Sequence, residues 1–195
     1  MSTRTAGPLR EGARPTREQI DARILDVAAE LFAGHGLEGT SVQQVADAVG
    51  YSKTGLLHRF GSKQGLHAAV LAEAERLMRE VLADIRGPVP DAGGALALIT
   101  RRAIEHPGLL DLVVRHLQAP AGEPPVPAVE ELALQLLAAL GPGEEPRRRL
   151  RVVLALQLVV NAVLTQSRDL DAALPPEELA ELVTELAGGV LGPDR

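Results

Sequence analysis

The sequence predicts an all-α protein, and three observations predict it. Apolar residues recur at helical spacing along most of the chain, and no stretch alternates as a strand would. Hydrophobic residues fill 46% of the 195 positions while aromatics fill only 2%, so the core rests on Leu, Val, Ile and Ala; Leu and Ala favour helices. Glycine and proline punctuate the chain between the periodic stretches. The length suits one large domain or two small ones and allows a sizeable buried core.

The elements follow in order. Residues 1–15, with Gly7, Pro8, Gly12 and Pro15 and no apolar period, read as a flexible tail bearing Arg4, Arg10 and Arg14. Thr16 to Gln19 fits a capping box and opens a helix whose apolar face carries Ile20, Ile24, Val27, Ala28, Leu31 and Phe32. Gly34 and Gly36 end it. Thr40 and Ser41 cap a short second helix faced by Val42, Val45, Ala46 and Val49, and Gly50 closes it. Ser52 caps a third helix over 53–60, which Gly61 closes; Ser62 caps a fourth that runs to Ile85 or Arg86. Beyond Gly87-Pro88-Val89-Pro90, helices are expected at about 92–105, 108–118, 127–140, 145–167 and 176–190, which makes about nine in all. Pro107 separates the first two of these, and "APAGEPPVP" and "GPGEEP" are loops.

The chain contains no cysteine, which removes disulfides and thiolate metal sites. No apolar signal segment opens it. No run reaches the ~20 apolar residues of a membrane span. The nearest, Val152 to Leu164, is shorter and holds Gln157 and Asn161. These readings predict a soluble, cytoplasmic protein with no membrane partner.

Charge is divided unevenly. Residues 1–63 hold eight basic and seven acidic side chains, whereas the remainder holds twelve against nineteen, and the net charge is −6. Yet no carboxylate lies between Asp47 and Glu73, a window that contains Lys53, His58, Arg59, Lys63 and His67. Two short helices joined by a glycine turn make a helix-turn-helix. The second of them can enter a DNA major groove. Phosphates attract cations and repel carboxylates, so an acid-free window fits that use.

Residues Val152 to Leu164 are apolar nearly all round, which predicts a helix buried on every side. The last helix adds a stripe of its own, behind Pro175-Pro176. Paired across two subunits, these helices would form a four-helix bundle. The expected dimer interface is Val153, Gln157, Val160, Asn161 and Leu164 with Leu179, Leu182, Val183, Leu186 and Val190. Gln157 and Asn161 share a face and either fix the register of that interface or line a ligand cavity; the first is preferred.

The stretch "TSVQQVADAVGYSKTGLLHRFGSKQGL", preceded by "ILDVAAELFAGHGLEG", resembles the TetR family of transcriptional regulators. The resemblance covers about sixty residues. It implies a helix-turn-helix DNA-binding domain over 16–62, with its recognition helix at about 53–60, and a ligand-binding and dimerisation domain over 63–195. By that resemblance Thr40 and Lys63 stand where phosphates are touched. Ser41, Lys53, Thr54 and Gly55 stand at base or near-base contacts, and His58 and Arg59 at the backbone. Position 57, usually Tyr, is Leu57 here, which can still meet a thymine methyl, and the usual Gly-Thr order is reversed at Thr54-Gly55.

The implied protein is a repressor that binds a palindromic double-stranded operator as a homodimer, with half-sites about 34–36 Å apart, and leaves it when a small molecule binds. An activator of the same fold is the alternative, and a helical protein that binds a small molecule but no DNA is a further one. Polar residues of the fifth and sixth helices, or at their ends, are the candidate ligand contacts: Arg101, His106, Arg115, His116 and Gln118. The wealth of Leu, Val and Ala points to an aliphatic cavity and an apolar ligand. No HExxH, GxSxG, GxGxxG, P-loop or carboxylate dyad is present, so neither an enzyme nor a cofactor is expected. The five histidines show no metal-binding spacing.

Overall fold

The computed structural model describes residues 15–85, 92–116, 127–140, 145–168 and 173–192. Among these residues the chain forms nine α-helices and no strand. They are α1 (Arg17–Gly39), α2 (Val42–Val49), α3 (Lys53–Phe60), α4 (Lys63–Ile85), α5 (Ala92–Glu105), α6 (Pro107–His116), α7 (Pro127–Leu140), α8 (Pro146–Arg168) and α9 (Pro176–Leu191). Apart from Pro15, the expected tail over 1–15 lies outside the described residues, as does Gln118.

The sequence signals act where expected at most helix ends. Thr16 accepts from the Gln19 amide at 3.2 Å, and the Gln19 side chain accepts from the Thr16 amide at 2.9 Å, which closes a capping box. Ser41 and Gln44 form a second one at α2. Gly50, with φ 74°, ends α2 in the left-handed region that glycine adopts without steric cost. Thr40 departs from expectation. It does not cap α2 but closes α1, and its buried hydroxyl donates between the Leu31 and Gly36 carbonyls, at 3.0 and 2.9 Å. The chain breaks α-geometry at Gly36 (φ 72°) and runs on to Gly39, so the carbonyls freed there need a donor, and Thr40 supplies one.

Helices α1, α2 and α3 enclose Ile24, Phe32, Val45, Ala46 and Leu56. Helix α4 belongs to both halves of the molecule: it packs on α1 and α3 and also on α5, α6 and α7. The edge of the Phe32 ring meets the His67 ring, with centroids 5.1 Å apart, which fastens α1 to α4. The most extensive packing in the fold joins α1 to α6, followed by α8 to α9.

Residues Pro146–Gln166 of α8 form a 21-residue stretch long and apolar enough to cross a membrane, which corrects the expectation that no run reaches that length. One side of the stretch is core, with Val152, Ala155, Leu156, Val159 and Val160 buried and α5, α6, α7 and α9 packed against the helix, while Leu150, Leu154 and Asn161 are exposed, so the helix is not buried on every side as expected.

Candidate nucleic-acid interface

The outward face of the helix-turn-helix is set by how α3 seats itself. Leu56 is fully buried, and Leu57 and Phe60 pack half-buried against the same core. On the opposite side Thr54, Gly55 and His58 are exposed, and Lys53 is exposed at the first position of the helix. Ser52 caps α3 and accepts from the Gly55 amide at 3.0 Å. A Cβ on residue 55 would come 3.1 Å from that Ser52 oxygen, so the reversed Thr54-Gly55 order keeps the smaller residue beside the cap. Exposed Ser41 opens α2 on the same motif. Asp47, near the end of α2, accepts from Gln43 at 2.7 Å.

The remaining predicted contacts are engaged within the protein. The Arg59 guanidinium forms an ion pair with Asp21 and donates to the Arg17 carbonyl at 3.1 Å, fastening α3 to the start of α1. Lys63 donates to the Leu37 carbonyl at 3.0 Å and lies 3.8 Å from Glu38, so it helps Thr40 close the broken end of α1. Leu57 faces the core. The expected set of nine therefore divides into Ser41, Lys53, Thr54, Gly55 and His58 at the surface and Thr40, Leu57, Arg59 and Lys63 in the packing.

Tyr51 is 42% exposed and stands in the turn between Gly50 and Ser52, with its amide bonded to the Ala46 carbonyl at 2.9 Å. The signal that finds it is position: it lies between a C-cap glycine and an N-cap serine, outside the apolar face of either helix.

Among the described candidates for ligand contact, Arg101 and Arg115 do not converge. Arg101 and Glu105 of α5 line an open groove of about 820 Å³ with Ile104 and the α9 residues Glu177, Glu181 and Glu185. Ala97, Pro176 and Ala180 line the groove beside these charges. Arg115 lines a separate polar concavity of about 220 Å³ with Asp111, Gln157 and Asn161, and its Nε lies 3.0 Å from both Asp111 oxygens. The preferred role of Gln157 and Asn161 thus has its alternative represented. His116 ends α6.

His106 lies half-buried in the elbow between α5 and α6. Burial holds its imidazole below the usual 6.5; Glu105 and Glu73 pull it upward, and Arg102 and Arg76 push it down. The unfolded chain therefore takes up this proton at higher pH than the folded one. The stability linked to His106 is complete above pH 6.5 and is lost as pH falls from there through the folded value. His106→Gln should flatten the decline of Tm between about pH 7 and 5. An unchanged Tm–pH curve would count against this.

The expected interface residues also divide. Val160, Leu164, Leu179 and Val183, expected between chains, are buried within one chain. Val153, Gln157 and Val190 are half-buried, while Asn161, Leu182 and Leu186 are exposed. Leu150 and Leu154 of α8, which the sequence reading missed, are 58% and 45% exposed.

Comparison with known proteins places this motif. Residues 24–70 match the family model described as "Bacterial regulatory proteins, tetR family". The chain is 36% identical over 73 residues to the HTH-type transcriptional repressor AcnR of Corynebacterium glutamicum, a match covering 37% of this chain and 38% of the repressor. The chain thus spans well under half the length of that curated relative. Over its full fold it is similar to the crystal structure of Mycobacterium smegmatis AmtR, with TM-score 0.50 and 27% identity, covering 95% of this chain and 90% of that one. The ketosteroid transcriptional regulator KstR2 of Mycobacterium tuberculosis shares the fold, with TM-score 0.54 and 21% identity over 90% of this chain and 95% of that one.

Proposed function

We propose that the protein, whose residues 24–70 match the TetR family of bacterial regulatory proteins, is a cytoplasmic transcriptional repressor without enzymatic activity. It binds a palindromic operator as a homodimer through residues 16–62. It is released when a small molecule binds within residues 63–195, the part that also dimerises. The observation that carries this reading is the exposed surface of α3, which presents Lys53 at its first turn and Thr54, Gly55 and His58 beside it, with no carboxylate on the helix. Ser41 and Tyr51 extend the same surface, Tyr51 with a ring and hydroxyl able to meet sugar and phosphate. Repressors among the matched relatives support the direction of regulation.

The test uses a duplex selected from a random-sequence library by the full-length protein. Lys53→Ala/His58→Ala should weaken binding to that duplex by about a hundredfold, from ~1–3 kcal/mol per lost contact, and reduce the salt slope by about one for each phosphate contact removed. Undiminished specific binding by the double variant would overturn the assigned face.

A further inference from the structure

Helix α6 opens with Pro107, Gly108 and Leu109 after the elbow residue His106. The first amides of a helix find no acceptor within it. Proline has no N–H to satisfy, and the Leu110 amide bonds to the His106 carbonyl at 3.1 Å. The amides of Gly108 and Leu109 remain. The residue at the cap position ordinarily accepts them through a side-chain oxygen, and histidine has none. Asp26 takes that place from the middle of α1, 82 residues before Gly108: its Oδ1 accepts from Gly108 at 3.0 Å and from Leu109 at 3.1 Å. Asp26 is only 7% exposed, and the positive end of α6 compensates a carboxylate buried there.

The two backbones touch at this point. A Cβ on residue 108 would stand 2.0 Å from the Asp26 carbonyl oxygen and 2.9 Å from the Glu30 nitrogen. Helix α6 therefore cannot advance on α1. If it recedes, both hydrogen bonds break and a buried carboxylate loses these two donors. Such a contact is made or broken rather than stretched. Helix α6 also packs on α4, α5, α7 and α8, while α1 carries α2 and, through Arg59, α3.

We infer that the Asp26 cap on α6 is the joint through which the C-terminal helices set the arrangement of the DNA-binding helices. This rests on the DNA-binding reading above. Coupling is reciprocal, so a duplex that fixes α1–α3 must in turn steady the cap. In the full-length protein bound to its selected duplex, exchange of the Gly108 and Leu109 amides should slow by about tenfold relative to the free protein, within the usual range of such couplings. Asp26→Asn keeps an acceptor of the same size and so keeps the fold, but it removes the charge; there the slowing should shrink to under about threefold. Equal exchange with and without duplex in the unsubstituted protein would overturn the coupling alone. Undiminished slowing in Asp26→Asn would overturn the role given to the carboxylate charge. Failure of the protein to select any duplex would overturn the DNA-binding reading, and this coupling with it.

Discussion

Replacing Gly108 by alanine is expected to lower stability by about 3–5 kcal/mol, combining the overpacking of one methyl with the loss of charge-assisted hydrogen bonds. The methyl would fall 2.0 Å from the backbone oxygen of Asp26, and backbone cannot swing aside as the tip of a side chain can. Helices α1 and α6 must separate, and the Asp26 cap lengthens with them. Against a total stability of ~5–15 kcal/mol, that is a large fraction. For a chain of this size it corresponds to a fall in Tm of about 10 °C. Gly34→Ala supplies the control: Gly34 is exposed in α1, has no positive φ, and a Cβ there meets nothing within 4 Å. The same substitution at that position should raise stability by ~0.5–1 kcal/mol. Thermal unfolding of both variants checks the pair, and equal Tm values for Gly108→Ala and the unsubstituted chain would refute the argument.

That contact was invisible in the sequence, and the reason is general to this fold. Helix ends are written locally. Pro127 and Pro146 open helices, Gly50 and Gly61 close them, and expectations of 127–140 and 145–167 meet Pro127–Leu140 and Pro146–Arg168. A partner 82 residues away leaves no local mark, so nothing in the sequence around Asp26 sets it apart from the other polar residues of an amphipathic helix. Residue type also conceals direction. Thr40, Arg59 and Lys63 have the chemistry to hold phosphates, and the same chemistry serves to satisfy the carbonyls left by the break at Gly36 and to tie α3 to α1. In α9 the apolar positions form two faces. Leu179, Val183, Ala187 and Leu191, spaced by four, turn inward, while Leu182 and Leu186 turn outward. Periodicity merged these into one stripe, because a helix that is apolar on two sides has no single phase.

The second large effect is expected from that outward face. Leu182 and Leu186 of α9 are 43% and 52% exposed, and Leu150 and Leu154 stand exposed on α8, the helix against which α9 packs most extensively. Exposed leucines on two helices that pack together are where we place the apolar contact of the proposed dimer. The palindromic operator proposed above would require a second copy of the chain as the occupant. Leu182→Glu/Leu186→Glu places charges where solvent already reaches, so the protomer should keep its helicity and its Tm within about 1 kcal/mol of stability. Between two protomers the same carboxylates would face one another across an apolar contact, and the dimer should give way to monomer in light scattering. Each monomer then engages one half-site. Losing the linked second site should weaken binding to the selected duplex by about a hundredfold or more, although Lys53, Thr54 and His58 remain untouched. The salt slope should fall toward half, since half the phosphate contacts are made per bound molecule. A dimer mass that persists in the double variant would move the interface elsewhere on the chain. A monomeric variant that binds the duplex as tightly as the unsubstituted protein would break the link between dimerisation and operator recognition.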